Sequence, residues 1–258
     1  LQKKLKMFLF CKKMNLTMLK QILLLLVTVF FFQAATAQLK NNATVFYKAG
    51  IDYKNKNMFP EAMDAFNKAI KLNKKYGPAY VEIGQIHLKT NNPEMAIVNF
   101  NKAISVNPKM ADAYIALGKL YRDFKPNYDS AIICFTAAIA IDSTNKEIFY
   151  SVAWCYNAKG EYDKTIPYGI KALEIDNTYR PAYNELGHAY RRLEKYAEAI
   201  AQFKKNIAIS PVDLAMLYSG YCYTELKDKE GAMEQYEALN KINENMAAAL
   251  KRVIDNMQ

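Results

Sequence analysis

The property that most restricts this chain is that it repeats. Blocks of like pattern begin at Ala43, Gly77, Ala111, Lys146, Arg180 and Asp213, at intervals of 34, 34, 35, 34 and 33 residues. An aromatic or large apolar residue stands fourth in each block (Phe46, Tyr80, Tyr114, Phe149, Tyr183, Met216) and a small one eighth (Gly50, Gly84, Gly118, Ala153, Gly187, Gly220). The eleventh is tyrosine in all blocks but the second, where it is His87. After a short polar stretch a second set follows. It has a small residue twentieth (Ala62, Ala96, Ala131, Thr165, Ala199, Ala232), an aromatic twenty-fourth (Phe66, Phe100, Phe135, Phe203, Tyr236) and usually alanine twenty-seventh. Spacings of three, four and seven place each set on one face of a helix. Each block is therefore expected to be two antiparallel helices joined by a tight turn, with the small residues letting the backbones approach and the rings filling the space between.

The blocks close on Asn73, Asn107, Asp142 and Asp176, with Ser210 as the variant, and twice on a following proline, Pro108 and Pro211. Such residues end one helix and prepare the next turn. Past Asn243, the segment from Glu244 to Met257 is apolar at Met246, Leu250, Val253 and Ile254, which makes one amphipathic helix. A stack of repeats needs a cap of this kind, because its last apolar face would otherwise meet water.

This pattern resembles the tetratricopeptide repeat family over residues 43–243. The resemblance implies an all-α fold, a right-handed superhelical solenoid of antiparallel helix pairs. Six repeats are expected at 43–76, 77–110, 111–145, 146–179, 180–212 and 213–243, with a capping helix at 244–257 and the domain as a whole at 38–258. Departures concentrate in the fourth block, where Thr165, Pro167 and Gly169 interrupt the second helix and Gly169 stands where the filling ring belongs. A locally looser joint is expected there. Asn206 and Ser219 are further departures, at otherwise apolar sites of the fifth and sixth blocks.

Composition fits a folded helical body, since 52% of residues are hydrophobic and only 9 Gly and 8 Pro occur in 258 residues. The formal net charge of +10 would suggest a nucleic-acid partner, yet residues 1–37 hold six lysines and no acid, leaving only +4 for the rest of the chain. That basic excess belongs to a targeting segment. From Ile22 to Phe32 the chain is uncharged and apolar, preceded by Lys20 and followed by Ala35-Thr36-Ala37. The run is short for a membrane span, but its basic flank and small-x-small exit suit a secretory signal. Residues 1–37 are thus expected to be leader and signal peptide, with Leu1 to Lys13 upstream of a start at Met14 or Met18, cleavage after Ala37 and a mature start at Gln38. The expected location is periplasmic or secreted, the alternative being an uncleaved membrane anchor.

No residues are arranged for chemistry. The two histidines, His87 and His188, take different offsets, and no HExxH, glycine-rich phosphate loop or CxxC is present. Cys134, Cys155 and Cys222 are odd in number and lack metal spacing; Cys155 and Cys222 fill a core position two repeats apart, too far for a disulfide. No catalytic residue, metal or cofactor is expected. The chain reads as an exported scaffold binding a protein or peptide segment. The alternatives are an enzyme or carbohydrate-binding protein without a recognisable motif, or a self-associating structural protein.

In the family that this chain resembles, the inner wall is lined by the first helix of each repeat at its second, fifth, ninth, twelfth and thirteenth positions. Carried onto this sequence, those positions give a candidate groove of Tyr47, Ile51, Val81, Ile115, Lys119, Arg122, Tyr150, Trp154, His188, Arg191 and Arg192. Aromatics and arginines on one surface are typical anchors of binding. The basic row beside Trp154 implies a partner segment that is apolar with acidic residues. The family's clamp for a C-terminal carboxylate needs Lys and Asn at the fifth and ninth positions of one repeat, where the first repeat has Tyr47 and Ile51, so no carboxylate-terminus binding is expected.

Overall fold

The computed structural model describes residues 16–257, and among them thirteen α-helices and no strand. They are α1 (Leu16–Asn55), α2 (Phe59–Leu72), α3 (Gly77–Lys89), α4 (Pro93–Val106), α5 (Ala111–Asp123), α6 (Tyr128–Ile141) and α7 (Lys146–Lys159). Then come α8 (Tyr162–Ile175), α9 (Arg180–Arg192), α10 (Tyr196–Ile209), α11 (Asp213–Glu225), α12 (Lys229–Asn240) and α13 (Glu244–Asp255). Each odd-numbered helix from α1 to α11 pairs with the even-numbered helix after it, each pair stacks on the next, and α13 packs on both α11 and α12. This is a solenoid of helix pairs. The leader from Leu1 to Lys13, with Cys11, and the expected start at Met14 lie outside the described residues.

The contact inside a pair is a ring set against a glycine. A Cβ added at Gly50, Gly84 or Gly187 would stand 2.5 Å from Phe66, Phe100 or Phe203, and one at Gly118 would stand 2.7 Å from Phe135. All four rings are fully buried, each stabilising the pair by roughly 1.5–3 kcal/mol. Where the sequence departs from this plan, another side chain supplies the volume. In the fourth pair the space at Gly169 is taken by Leu186 of α9, which is buried. In the sixth, Leu250 of the capping helix closes on Gly220. The joint expected to be loose is therefore closed, by a leucine borrowed from the following repeat.

Turns follow from the sequence with equal economy. Between first and second helices of five of the six pairs the chain turns through one left-handed residue, at Asn57, Asn91, Gly160, Glu194 or Lys227; the turn between α5 and α6 has none. The next N–H then donates back to the carbonyl of the eleventh-position residue, as in Asn92 to His87 at 2.7 Å and Lys195 to Tyr190 at 2.9 Å. This six-to-one bond is the Schellman stop of a helix. Between repeats, the side chains of Asn73, Asn107, Asp142 and Asp176 accept from the N–H two residues on, at 2.9 to 3.2 Å, forming the turn that Asn and Asp favour. Asn92, Asn127 and Asn243 cap the helices that follow them.

Helix α1 is continuous from Leu16 through Ala37 to Asn55. Its described side chains between Met18 and Gln33 are exposed, and burial begins at Ala43. The described side chains of the apolar run thus take no part in the core. Among the described residues no helix is long and apolar enough to cross a membrane.

Candidate binding groove

The first helices of successive repeats (α1, α3, α5, α7, α9, α11) share one side of the stack, and their register is set by a recurring contact. The twelfth residue of each reaches the sixth residue of the next. Lys54 forms an ion pair with Glu82, Arg122 Nη1 donates to Ser151 Oγ at 3.0 Å, Asn157 Nδ2 donates to Glu185 Oε2 at 2.7 Å, and the Arg191 guanidinium lies 4.9 Å from the Tyr218 ring centre. Leu88 and Ala116 pack on one apolar cluster at the equivalent place. Ion pair, hydrogen bond, stacking and apolar contact thus serve one position, so the position is fixed by the helix spacing and its chemistry is free to vary.

This contact changes the meaning of the basic row. Arg122 is held by both carboxylate oxygens of Asp123, at 2.6 and 2.8 Å, and its guanidinium lies 5.8 Å from the Trp154 ring. Arg191 is stacked on Tyr218. Arg192 donates to the Tyr162 hydroxyl at 3.0 Å and lies over the same ring at 5.3 Å. The arginines are joints between helices before they are ligands. Lys119 and Arg192 are exposed and without an ion pair among the described residues.

Two hollows open on this side. The first, about 320 Å³, is lined by Tyr47, Val81, Glu82, Gln85, Asp112, Ile115 and Lys119 from α1, α3 and α5. The second, about 640 Å³, is lined by Lys146, Tyr150, Tyr179, Arg180, Asn184 and Glu185 with the turn around Asp176 and the start of α11. Of the expected groove residues, Tyr47, Val81, Ile115 and Lys119 share the first hollow and Tyr150 lies in the second. Arg191 and Arg192 line a third opening of about 530 Å³ with Tyr196, Tyr221 and Val253, towards the capping helix. Ile51, Trp154 and His188 line none of these. Ile51 packs on the first core cluster. Trp154 is half-buried, edge-on to Tyr128 at 5.7 Å and beneath Arg122, and His188 stands edge-on to Tyr162 at 6.1 Å. His188 has its pKa lowered, by burial first and then by Arg191 and Arg192.

The candidate groove left out Glu185, Asn157 and Tyr179. Thr165 Oγ1 donates to Asn157 Oδ1 at 2.8 Å, and Asn157 Nδ2 also donates to the Glu185 backbone carbonyl at 3.0 Å. The polar departure at Thr165 is therefore one end of a chain running from the second helix of the fourth repeat to the groove. Asn157 at a twelfth position was the available signal. Burial raises the pKa of Glu185, against the lowering effect of the Asn157 hydrogen bond. It raises those of the Tyr47 and Tyr179 hydroxyls to about 12. The thiols are pushed up by burial too, Cys134 to about 11 and Cys155 and Cys222 to about 12, which makes them inert core groups. Among the described residues no cluster of side chains could hold a metal ion.

Tetratricopeptide repeat models match residues 77–110, 111–145, 181–213 and 214–245, together just over half of the chain. The small glutamine-rich tetratricopeptide repeat-containing protein 2 of Mycosarcoma maydis is 25% identical over 129 residues, which is 50% of this chain and 34% of that protein. The human cell division cycle protein 16 homolog is 25% identical over 181 residues, 66% of this chain and 29% of that one. The chain thus spans about a third or less of the length of these relatives. Among solved structures, YrrB, a tetratricopeptide repeat protein with an unusual peptide-binding site, superposes with a TM-score of 0.67 at 24% identity, covering 74% of this chain and 99% of that one. The C-terminal part of a repeat protein from Cytophaga hutchinsonii gives 0.69 at 19% identity, covering 89% and 93%.

Proposed function

We propose that this chain, which belongs to the tetratricopeptide repeat family, is an exported, non-catalytic scaffold that grips a segment of another protein along the side lined by α1, α3, α5, α7, α9 and α11. The family typically mediates protein interactions, and its members are typically non-catalytic. The observation that carries the reading is the pair of hollows opening between successive first helices. In them half-buried tyrosines and aliphatic side chains stand beside polar groups not consumed within the fold. A binding surface needs such a combination, with an apolar anchor site and a polar rim that sets orientation. Export is supported by Lys20, the apolar run from Ile22 to Phe32 and Ala35-Thr36-Ala37, and by the exposure of that run outside the core.

Capture of partners from the native envelope or secreted fraction tests the groove. Ile115→Asp, in the first hollow, should remove a partner that wild type retains, with the helical circular dichroism unchanged. A partner that survives Ile115→Asp and also survives Asn184→Asp in the second hollow binds elsewhere, and turnover of a small molecule would replace scaffold by enzyme. Intact mass of the natively produced protein should begin at Gln38; retention of the apolar run in the membrane fraction would favour an anchor.

A further inference from the structure

Glu185, the sixth residue of α9, brings a carboxylate into the second hollow beside Tyr150, Tyr179 and Asn184. Its side-chain donor is Asn157, and among the described residues no Lys, Arg or His stands within ion-pair distance of it. The cations nearby contact other groups. Lys146 is paired with Asp176 and lies 5.0 Å over the Tyr179 ring. Arg180, five residues earlier on the same helix, also lines this hollow; its Nε donates to Asn206 Oδ1 at 3.0 Å, and it lies outside ion-pair distance of Glu185. Arg122 is held by Asp123. A partly buried carboxylate without a cation works against folding. The fold does not require an acid there either, since the sixth position is Ala116, Ser151 or Tyr218 in other repeats, and Glu82, the acid at that position in the second repeat, has Lys54.

The surroundings specify what would complete the site. Tyr150 and Tyr179 stand edge-on to one another at 5.8 Å, and Glu185 is near enough to help raise the pKa of the Tyr150 hydroxyl. Two aromatic rings beside an unpaired carboxylate suit a flat, delocalised cation, which can lie against a ring while its N–H fork meets the carboxylate oxygens. Further along the same side, Asp112 and Glu147 are exposed and also without an ion pair among the described residues.

We infer that the second hollow binds an arginine side chain of the partner segment, its guanidinium paired with Glu185 and lying against Tyr150 and Tyr179. The inference rests on the groove reading above and reverses the partner charge expected from Arg122, Arg191 and Arg192. It is tested on the full chain with three acetylated and amidated twelve-residue peptides of Ala, Ser, Leu and Tyr that differ at one central position: arginine, citrulline or glutamate. Nitrogen-15 NMR titration reads both affinity and place. The arginine peptide should bind at least tenfold more tightly than citrulline, its neutral near-isostere, and tighter still than glutamate, while shifting the Asn157 side-chain amide. Glu185→Gln should abolish the difference between arginine and citrulline. Equal affinity of wild type for arginine and citrulline, no binding of the arginine peptide at millimolar concentration, or an undiminished preference in a folded Glu185→Gln variant would overturn the site. The peptide comparison in wild type decides the matter even if that variant misfolds. Failure here leaves the groove reading standing, because that reading fails only if a native partner ignores both Ile115→Asp and Asn184→Asp.

Discussion

Replacing Gly118 by alanine sets two known effects against each other at one atom. In a helix interior the change should gain about 1 kcal/mol of propensity. The new Cβ, however, would lie 2.7, 2.8 and 3.0 Å from Cε1, Cδ1 and Cζ of Phe135. Carbon atoms rest at about 3.5–4.0 Å, so the ring or its helix must retreat by about 0.7 Å or more. Phe135 is 0% exposed and has no space to enter, so α6 must move off α5. Overpacking of that kind costs about 1–3 kcal/mol. The clash should therefore win, for a net loss of up to about 2 kcal/mol, and Gly118→Leu should lose more. Pairing Gly118→Ala with Phe135→Leu should be less damaging than the two separate losses combined, by about 1 kcal/mol or more. The fourth repeat has a related arrangement, with Ala153 at the eighth position and the space at Gly169 filled by a leucine, Leu186, of the following repeat. Urea unfolding followed by circular dichroism measures the effect, with the slope checked because repeat arrays can lose two-state behaviour. The exposed control Lys109→Leu should change stability by under about 0.5 kcal/mol. A Gly118→Ala variant more stable than wild type, with additive losses in the double variant, would refute the packing argument.

A chain ending at Asn243 uncovers Gly220 and removes the buried Ala247, Leu250 and Ile254, so it should melt earlier or aggregate; equal melting and solution size would mean that α13 is no cap. Lys227 holds a φ of 59° that glycine adopts freely, so Lys227→Gly should gain about 0.5–1 kcal/mol, whereas Lys102→Gly inside α4 should lose about 1 kcal/mol; equal losses would contradict the turn assignment. Because burial raises the pKa of Glu185, the folded state holds that proton more tightly than the unfolded one, and the associated stability is present at low pH and lost as pH rises through the raised value. Glu185→Gln should then melt no earlier than wild type at pH 7, any advantage shrinking as pH falls into the carboxylate range, and a large loss at pH 7 would show that the carboxylate supports the fold. Cys134, Cys155 and Cys222 should resist a thiol reagent at pH 8 until the chain unfolds; rapid labelling of any of them in the folded protein would contradict their burial.

What the sequence determined is whatever lies inside one repeat. The eighth and twenty-fourth positions are joined by a short turn, so their pairing follows from the period alone, and the Gly–Phe contacts, the Asn and Asp turns and the capping helix could all be located by counting. What only the tertiary structure decided lies between repeats. The meeting of a twelfth residue with the sixth residue of the next first helix depends on how one pair rotates and rises on another, and neither hydrophobic period nor composition encodes that geometry. Arg122, Arg191 and Arg192 were therefore placed in the groove by counting along the helix, while their contacts with Asp123, Tyr218 and Tyr162 were visible only in space. For the same reason Glu185 was invisible: its significance is that it has no ion-pair partner among the described residues, and a charge is left unpaired by its neighbours in space, not in sequence. Leu186 and Leu250 fill the gaps at Gly169 and Gly220 from the next helix pair and from the cap, because close packing requires the volume to be filled and does not specify which segment supplies it.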